Sequence, residues 1–333
     1  MSSILLTGGM GFIGSHTATV LAEAGHNVVL YDNLTNSSID VKDKIEAIIN
    51  KKVSFVKGDV LDTSLLIQTL QDFRIEGVIH FAGLKAVGES IEKPLEYYEN
   101  NISGSLSLLK AMKKIGVRKI VFSSSATVYG EPKYLPYDEE HPTNAVNPYG
   151  RSKLYIEEML KDVCSSDKNF SAICLRYFNP VGSHESGLIG ENPKNIPNNL
   201  MPYITQVASG KLKELSIYGN NYLTKDGTGV RDYIHVMDLA YGHLKGLDFL
   251  NDNFGWHAFN LGTGSGISVL ELIKTFKEVN EIEINYKIAN RREGDIAEFF
   301  SNSSKANKEL KWHPQRDVRD MCRDAWNFQK KMK

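Results

Sequence analysis

The sequence predicts an α/β protein in which a doubly wound parallel sheet is joined to a smaller mixed α/β unit. Three observations carry that prediction. An apolar run at Ser3–Thr7 meets a glycine-rich turn and then helical spacing; strand-like runs and helical stretches alternate from there to about residue 180; beyond it, prolines, asparagines and glycines interrupt the rhythm. Alternating strands and helices make consecutive strands parallel, because each right-handed crossover returns the chain to the same end of the sheet.

Residues 3–7 read as a strand, Gly8-Gly9-Met10-Gly11-Phe12-Ile13-Gly14 as a turn, and 15–25 as a helix stopped by Gly25. Glycines at 8, 11 and 14 let the backbone approach a pyrophosphate, and the helix N-terminus that follows offers free N–H groups and a positive dipole to the same anion. The second strand, 27–31, ends at Asp32, about twenty residues beyond the glycines, where a carboxylate can accept from an adenosine ribose diol and repel a 2′-phosphate. In this strand-turn-helix context the pattern predicts dinucleotide binding of Rossmann type, with NAD favoured over NADP. Further strands are expected at 53–56, 77–81, 119–122 and 172–175, with helices around 63–73, 96–116 and 149–166. Small or polar residues follow three of these strands: Gly58-Asp59, Ala82-Gly83-Leu84-Lys85 and Ser123-Ser124-Ser125. Ligands of such sheets lie beyond the carboxyl ends of the strands, so at least one of the serines is expected to bond a ligand rather than only close a solvated turn.

Tyr149 and Lys153 stand four residues apart on the helix expected at 149–166, which puts both on one face. A phenol with an ordinary pKa of about 10 is a poor base near neutrality, and an ammonium beside it in a dry site favours the phenolate. Spacing alone reads equally well as a half-buried Tyr beside a solvated Lys. Past residue 180, short helices are expected at 198–209, 237–250, 268–279 and 317–330, and strands near 215–218, 258–261 and 283–288. The division is therefore 1–180 for the nucleotide unit and 181–333 for the second, with some later segments free to return to the first. Arg231 and the pair Arg291-Arg292 offer two-point contact to a diphosphate, or else surface ion pairs. Leu106, Leu109, Met112, Ile156 and Met159 give their helices an apolar face that suits core or subunit contact.

Composition narrows the partners. A chain of 333 residues that is 41% hydrophobic and 24% charged can bury a large core, and a net charge of −1 without basic runs speaks against nucleic acid or a membrane surface. Cys164, Cys174 and Cys322 form no CxxC, and the N-terminus lacks a charged and apolar leader, so reduced thiols and a cytoplasmic location are expected. Nine histidines without HExxH or paired ligand spacing predict no metal site.

Taken together, Thr7 to Gly14, His80 to Gly88, Phe122 to Gly130, Pro148 to Lys153, Leu175 to Gly182, Pro197 to Tyr203, Asp226 to Asp238 and Arg291 to Asp295 resemble the extended short-chain dehydrogenase/reductase family, in its UDP-hexose 4-epimerase branch. Arg176-Tyr177-Phe178-Asn179-Pro180-Val181-Gly182 with Asn198-Asn199-Leu200-Met201-Pro202 is the most specific part. The resemblance implies interconversion of UDP-galactose and UDP-glucose through a 4-keto sugar, with a retained NAD reduced and reoxidised in each turnover. It assigns Tyr149 as the base at the 4-hydroxyl, Lys153 as the group that lowers the Tyr149 pKa and binds the nicotinamide ribose, and Ser125 as the partner of the 4-oxygen. For NAD it implies Gly8, Gly11, Phe12, Ile13, Gly14, Asp32, Asn33, Asn36 and Ser37, then Asp59, Val60, Phe81, Ala82, Gly83, Lys85 and Asn100. Ser125, Tyr149, Lys153 and Phe178 complete that set. For the UDP-sugar it implies Asn179, Asn199, Leu200, Arg231, Arg292 and Asp295, with Tyr218 against the uracil and with Ser125 and Tyr149 at the sugar. Phe299 falls where the family limits the sugar 2-substituent, so UDP-N-acetyl sugars are expected to be handled poorly; the alternative is an epimerase of UDP-GlcNAc and UDP-GalNAc, or one of dual specificity. The family is usually a homodimer packed through the helices near 96–116 and 149–166.

Two other readings use the same fold. A nucleotide-sugar 4,6-dehydratase needs an acidic pair just before Val128-Tyr129-Gly130, where this chain has Ala126 and Thr127. A non-catalytic NAD sensor would lack the Tyr149/Lys153 pair that stands here.

Overall fold

The computed structural model describes residues 1–193, 197, 199–292 and 294–332; Asn198 and Glu293, which fall in two of the sequence runs above, lie outside the described residues. The chain opens as β1 (Ser3–Thr7), α1 (Phe12–Glu23), β2 (Asn27–Asp32), α2 (Asp40–Ile49), β3 (Ser54–Lys57), α3 (Thr63–Asp72) and β4 (Gly77–His80). It continues through α4 (Val87–Glu92), α5 (Pro94–Tyr97), a π-turn at Tyr98–Ser103, α6 (Gly104–Ile115), β5 (Lys119–Ser125), α7 (Pro148–Ser166) and β6 (Ser171–Tyr177). Seven parallel strands form the main sheet in the order β10-β6-β5-β4-β1-β2-β3, and the strand order reverses direction between β1 and β4. The strands are apolar on both faces, as a sheet covered by helices on both sides requires. Ile4, Leu6, Leu30, Ile79, Val121 and Ile173 pack on one face, and Leu5, Val29, Val78, Ile120, Phe122 and Ala172 on the other.

The second unit contains β7 (Asn179–Val181), α8 (Leu200–Ala208), β8 (Leu215–Tyr218), β9 (Val230–His235), α9 (Val236–Phe249) and β10 (Gly255–Leu261). After these come β11 (Gly266–Ser268), α10 (Val269–Asn280), β12 (Tyr286–Ala289), β13 (Glu298–Phe299) and α11 (Val318–Lys331). Its own sheet centres on β9, paired with β7 and β13 in parallel and with β11 antiparallel, while β8 and β12 form a separate parallel pair. β10 joins the main sheet beside β6, with Gly255 opposite Ser171 and Leu261 opposite Tyr177. The chain thus returns to the first unit after residue 230, and Leu239 and Leu247 of α9 pack into the same core as β1 and β2. Among the described residues no helix is long and apolar enough to cross a membrane.

The helix expected at 96–116 is divided in two by the π-turn, which carries the buried Asn101. β9 was absent from the sequence expectations because Arg231, Asp232 and His235 hide its alternation; β7, β11 and β13 are two or three residues long.

Candidate active site

At the carboxyl end of β1 the turn is built for a close neighbour. Gly8 has φ 68°, and a Cβ there would stand 2.7 Å from the Ala82 nitrogen; a Cβ at Gly14 would stand 2.4 Å from the Gly8 oxygen. Side chains at these points would fill the space where α1 begins. Gly11 caps α1 without any side-chain bond, and the first turn carries no acid, so its N–H groups face outward to an anion. Phe12 and Ile13 form that first turn. Asp32 closes the neighbouring rim: its carboxylate accepts from Met10 N (3.1 Å), Leu34 N (2.8 Å) and the Ser37 hydroxyl (2.8 Å). Asn33 donates to Asp59 at 2.9 Å and exposed Asn36 lies on the same loop, while Val60 is buried against Gly104. These residues can hold a dinucleotide: a glycine cradle, an uncapped helix end and a carboxylate lie together.

Phe81, Ala82, Gly83 and Lys85 follow β4 and connect this cradle to α7. Asn101 from the π-turn holds that loop, accepting from Leu84 N (2.8 Å) and from Asn100 (2.9 Å) and donating to Leu84 O and the Ser152 hydroxyl (3.0 Å each). Sequence reasoning named Asn100 and missed Asn101, although an asparagine inside a helical stretch, where its side chain competes with the backbone, is a signal.

Tyr149 sits in the first turn of α7, where Asn147 caps the helix by accepting from Gly150 N at 2.8 Å and Pro148 occupies the first helical position. Burial raises the Tyr149 pKa, while a hydrogen bond from Ser125 and the charge of Lys85 oppose it. Lys153 Nζ lies 5.8 Å from the centre of the Tyr149 ring and donates to Ser123 O at 2.7 Å. The Lys153 ammonium thus lies near the phenol while donating to a backbone carbonyl, and Ser125 and Lys85 are further groups that favour the phenolate. Burial in turn lowers the Lys153 pKa to about 8. Ser125 also accepts from Thr127 N (3.2 Å) and the Thr127 hydroxyl (3.0 Å), and Ala126 is buried, so no acid stands where a dehydratase needs one.

The second unit brings its own polar set. Arg292 donates to Asp295 at 2.9 Å and its guanidinium stacks 4.8 Å above the Tyr218 ring, while Arg231 Nη2 lies 3.9 Å from the other oxygen of Asp295. Asp295 is thus held between two guanidiniums. Arg291 turns away, bonded to Asn221 and stacked on Tyr222 at 4.0 Å, which separates the two arginines of the pair. Asn199 caps α8 ahead of Leu200 and donates to Glu191 (2.7 Å), which also accepts from Lys85 (3.0 Å). That bridge ties the two units across the cleft, and its carboxylate was not foreseen. Asn179 lies on β7 directly after Phe178, whose ring packs 5.1 Å from Phe299.

A family model described as GDP-mannose 4,6 dehydratase matches residues 5–325. The UDP-glucose 4-epimerase of Pasteurella multocida is 55% identical over 330 residues, covering 99% of this chain and 98% of the relative. The crystal structure of UDP-glucose-4-epimerase from Stenotrophomonas maltophila with bound NAD and formylated UDP-arabinopyranose superposes with a TM-score of 0.98 at 48% identity, covering 100% of this chain and 99% of the other. That of the Bifidobacterium longum UDP-glucose 4-epimerase in complex with NAD+ and UDP gives 0.96 at 52% identity, covering 99% of each chain. With a glycine cradle, a Tyr149/Ser125 contact and end-to-end similarity of this depth, the chain belongs to the UDP-glucose 4-epimerase family.

Proposed function

We propose that this protein catalyses NAD-dependent epimerisation at C4 of UDP-hexoses, interconverting UDP-galactose and UDP-glucose. The observation that carries this reading is the convergence of Tyr149, Ser125 and Lys153 at the end of β5, next to the loop from Ala82 that abuts the Gly8 cradle; a Cβ at Gly83 would lie 3.8 Å from Lys153 Nζ. NAD, when bound, supplies a reversible acceptor for the hydrogen of C4. Tyr149 takes the proton of the 4-hydroxyl, Ser125 orients the 4-oxygen, and Lys153 holds a positive charge beside them. When NAD is bound, Asp32 would hold the adenosine ribose and the α1 N-terminus the pyrophosphate. On the substrate side, Arg231 and Arg292 grip the diphosphate, with Asn179, Asn199, Leu200 and Asp295 around them and Tyr218 against the uracil. A firm grip on UDP and a loose hold on the sugar let the 4-ketone turn and return with inverted configuration.

In this reading residues 1–180 carry the cofactor and most of 181–333 the substrate. The protein is proposed to be cytoplasmic, in keeping with three buried free thiols, and a homodimer. Ile91, Leu95, Leu106 and Tyr155 are exposed on α4–α7, whereas Leu109, Met112 and Ile156 are committed to the core. Tyr149→Phe tests the assignment of the base. The variant is expected to retain NAD and to lose at least about 100-fold in kcat, measured with UDP-galactose; near-wild-type turnover would overturn it.

A further inference from the structure

Behind the phenol, three consecutive serines of β5 meet three successive turns of α7. Ser125 lies beside Tyr149, Ser123 O accepts from Lys153 Nζ at 2.7 Å, and the Ser124 hydroxyl donates to Glu157 at 2.5 Å. Tyr149, Lys153 and Glu157 are spaced by four, so they share one face of the helix. Glu157 is only 1% exposed and is clasped by Arg176 of β6, which donates through Nη2 at 2.6 Å and through Nε at 3.0 and 3.2 Å. Arg176 in turn donates to the Tyr129 hydroxyl at 3.2 Å, and that hydroxyl donates to Asn260 at 2.7 Å.

The titratable groups facing Lys153 are Tyr149 and Glu157 from α7, His80 from β4 and Cys174 from β6. His80 is kept neutral by burial, which drives its pKa to about 3, and burial pushes the Cys174 thiol well up. Glu157 is therefore the carboxylate among them. Burial lowers the Lys153 pKa and the charge of Glu157 opposes that fall.

We infer that Glu157 is a positioning residue for the proposed epimerisation: clasped by Arg176 and Ser124, it supplies the anion that keeps the Lys153 ammonium in the site and sets the register of α7 against β5. The inference rests on the roles proposed above for Tyr149 and Lys153. A carboxylate one helical turn below Lys153 reaches it through a low-dielectric interior, where charge acts over longer distances than in water.

The test is the pH dependence of kcat/KM for UDP-galactose in the NAD-loaded enzyme, for wild type, Glu157→Asp, Glu157→Gln and Glu157→Gln/Arg176→Gln. Loss of the anion lets the Lys153 proton leave at lower pH, so the basic limb is expected to move down by about one pH unit in Glu157→Gln, with Glu157→Asp retaining most of the wild-type position and the double variant, which also loses a buried cation, lying between wild type and Glu157→Gln. Glu157→Gln alone leaves a buried guanidinium without its partner, so the double variant removes both charges and guards against misfolding, followed by circular dichroism. A folded variant whose rate falls evenly while the limb stays in place would reduce Glu157 to packing and overturn the inference; so would failure of the double variant to fold. Absence of turnover in the wild type would instead remove the reading on which it rests.

Discussion

Phe299, proposed to wall the sugar pocket, is fixed from two sides. Its ring lies 4.9 Å from Tyr137 and 5.1 Å from Phe178. Its chain is pinned where Tyr137 N donates to Phe300 O at 3.0 Å and Asn302 N to Tyr137 O at 2.6 Å, and Tyr137 is itself buried, with its hydroxyl on Gly130 O at 2.8 Å. In the proposed binding mode, a wall so supported would crowd an N-acetyl group at the sugar 2-position. We therefore expect kcat/KM for UDP-N-acetylglucosamine at least about tenfold below that for UDP-glucose, the range a steric contact in an apolar pocket provides; equal values, measured side by side, would contradict the wall. At this scale the sequence disclosed the Tyr149 and Lys153 pair through spacing, but not the direction of the ammonium. That direction depends on Ser123 O, a backbone atom whose place is set by strand pairing and which leaves no trace in residue identity.

The stretch from Pro94 to Ile115 shows what an element adds to its residues. Periodicity read it as one helix, and most of it is helical; the π-turn in its middle widens the backbone so that Asn101 points inward. Four hydrogen bonds of that one side chain hold the Ala82–Lys85 loop, Asn100 and α7 together. Asn101→Ala leaves part-buried backbone groups of Leu84 without these partners, so a loss of about 1–3 kcal/mol in unfolding free energy is expected, read by urea denaturation together with weaker retention of NAD. A change below about 0.5 kcal/mol would show that the loop holds itself. Other elements were legible from their ends: Ser268 with Glu271, and Asp317 with Asp320, form the capping boxes that start α10 and α11 close to the expected 268 and 317.

Over the whole molecule, the parallel sheet was legible because six of its strands are short apolar runs separated by helices, and a sheet buried on both faces needs such runs. The return of α9 and β10 to that sheet was less so, since Trp256-His257-Ala258-Phe259 pairs with β6 across more than 80 residues and no local pattern records the partner. The Lys85–Glu191–Asn199 bridge ties the loop after β4 to the start of α8, and the cleft proposed for the sugar nucleotide lies between these two units. What that cleft does to a sugar nucleotide is the most direct test. Incubated with UDP-galactose and followed by NMR of the sugar protons, the purified protein is expected to yield UDP-glucose until the two sugars reach equilibrium, with no net consumption of NAD; a 4-keto-6-deoxy product, or no turnover with NAD bound, would contradict it.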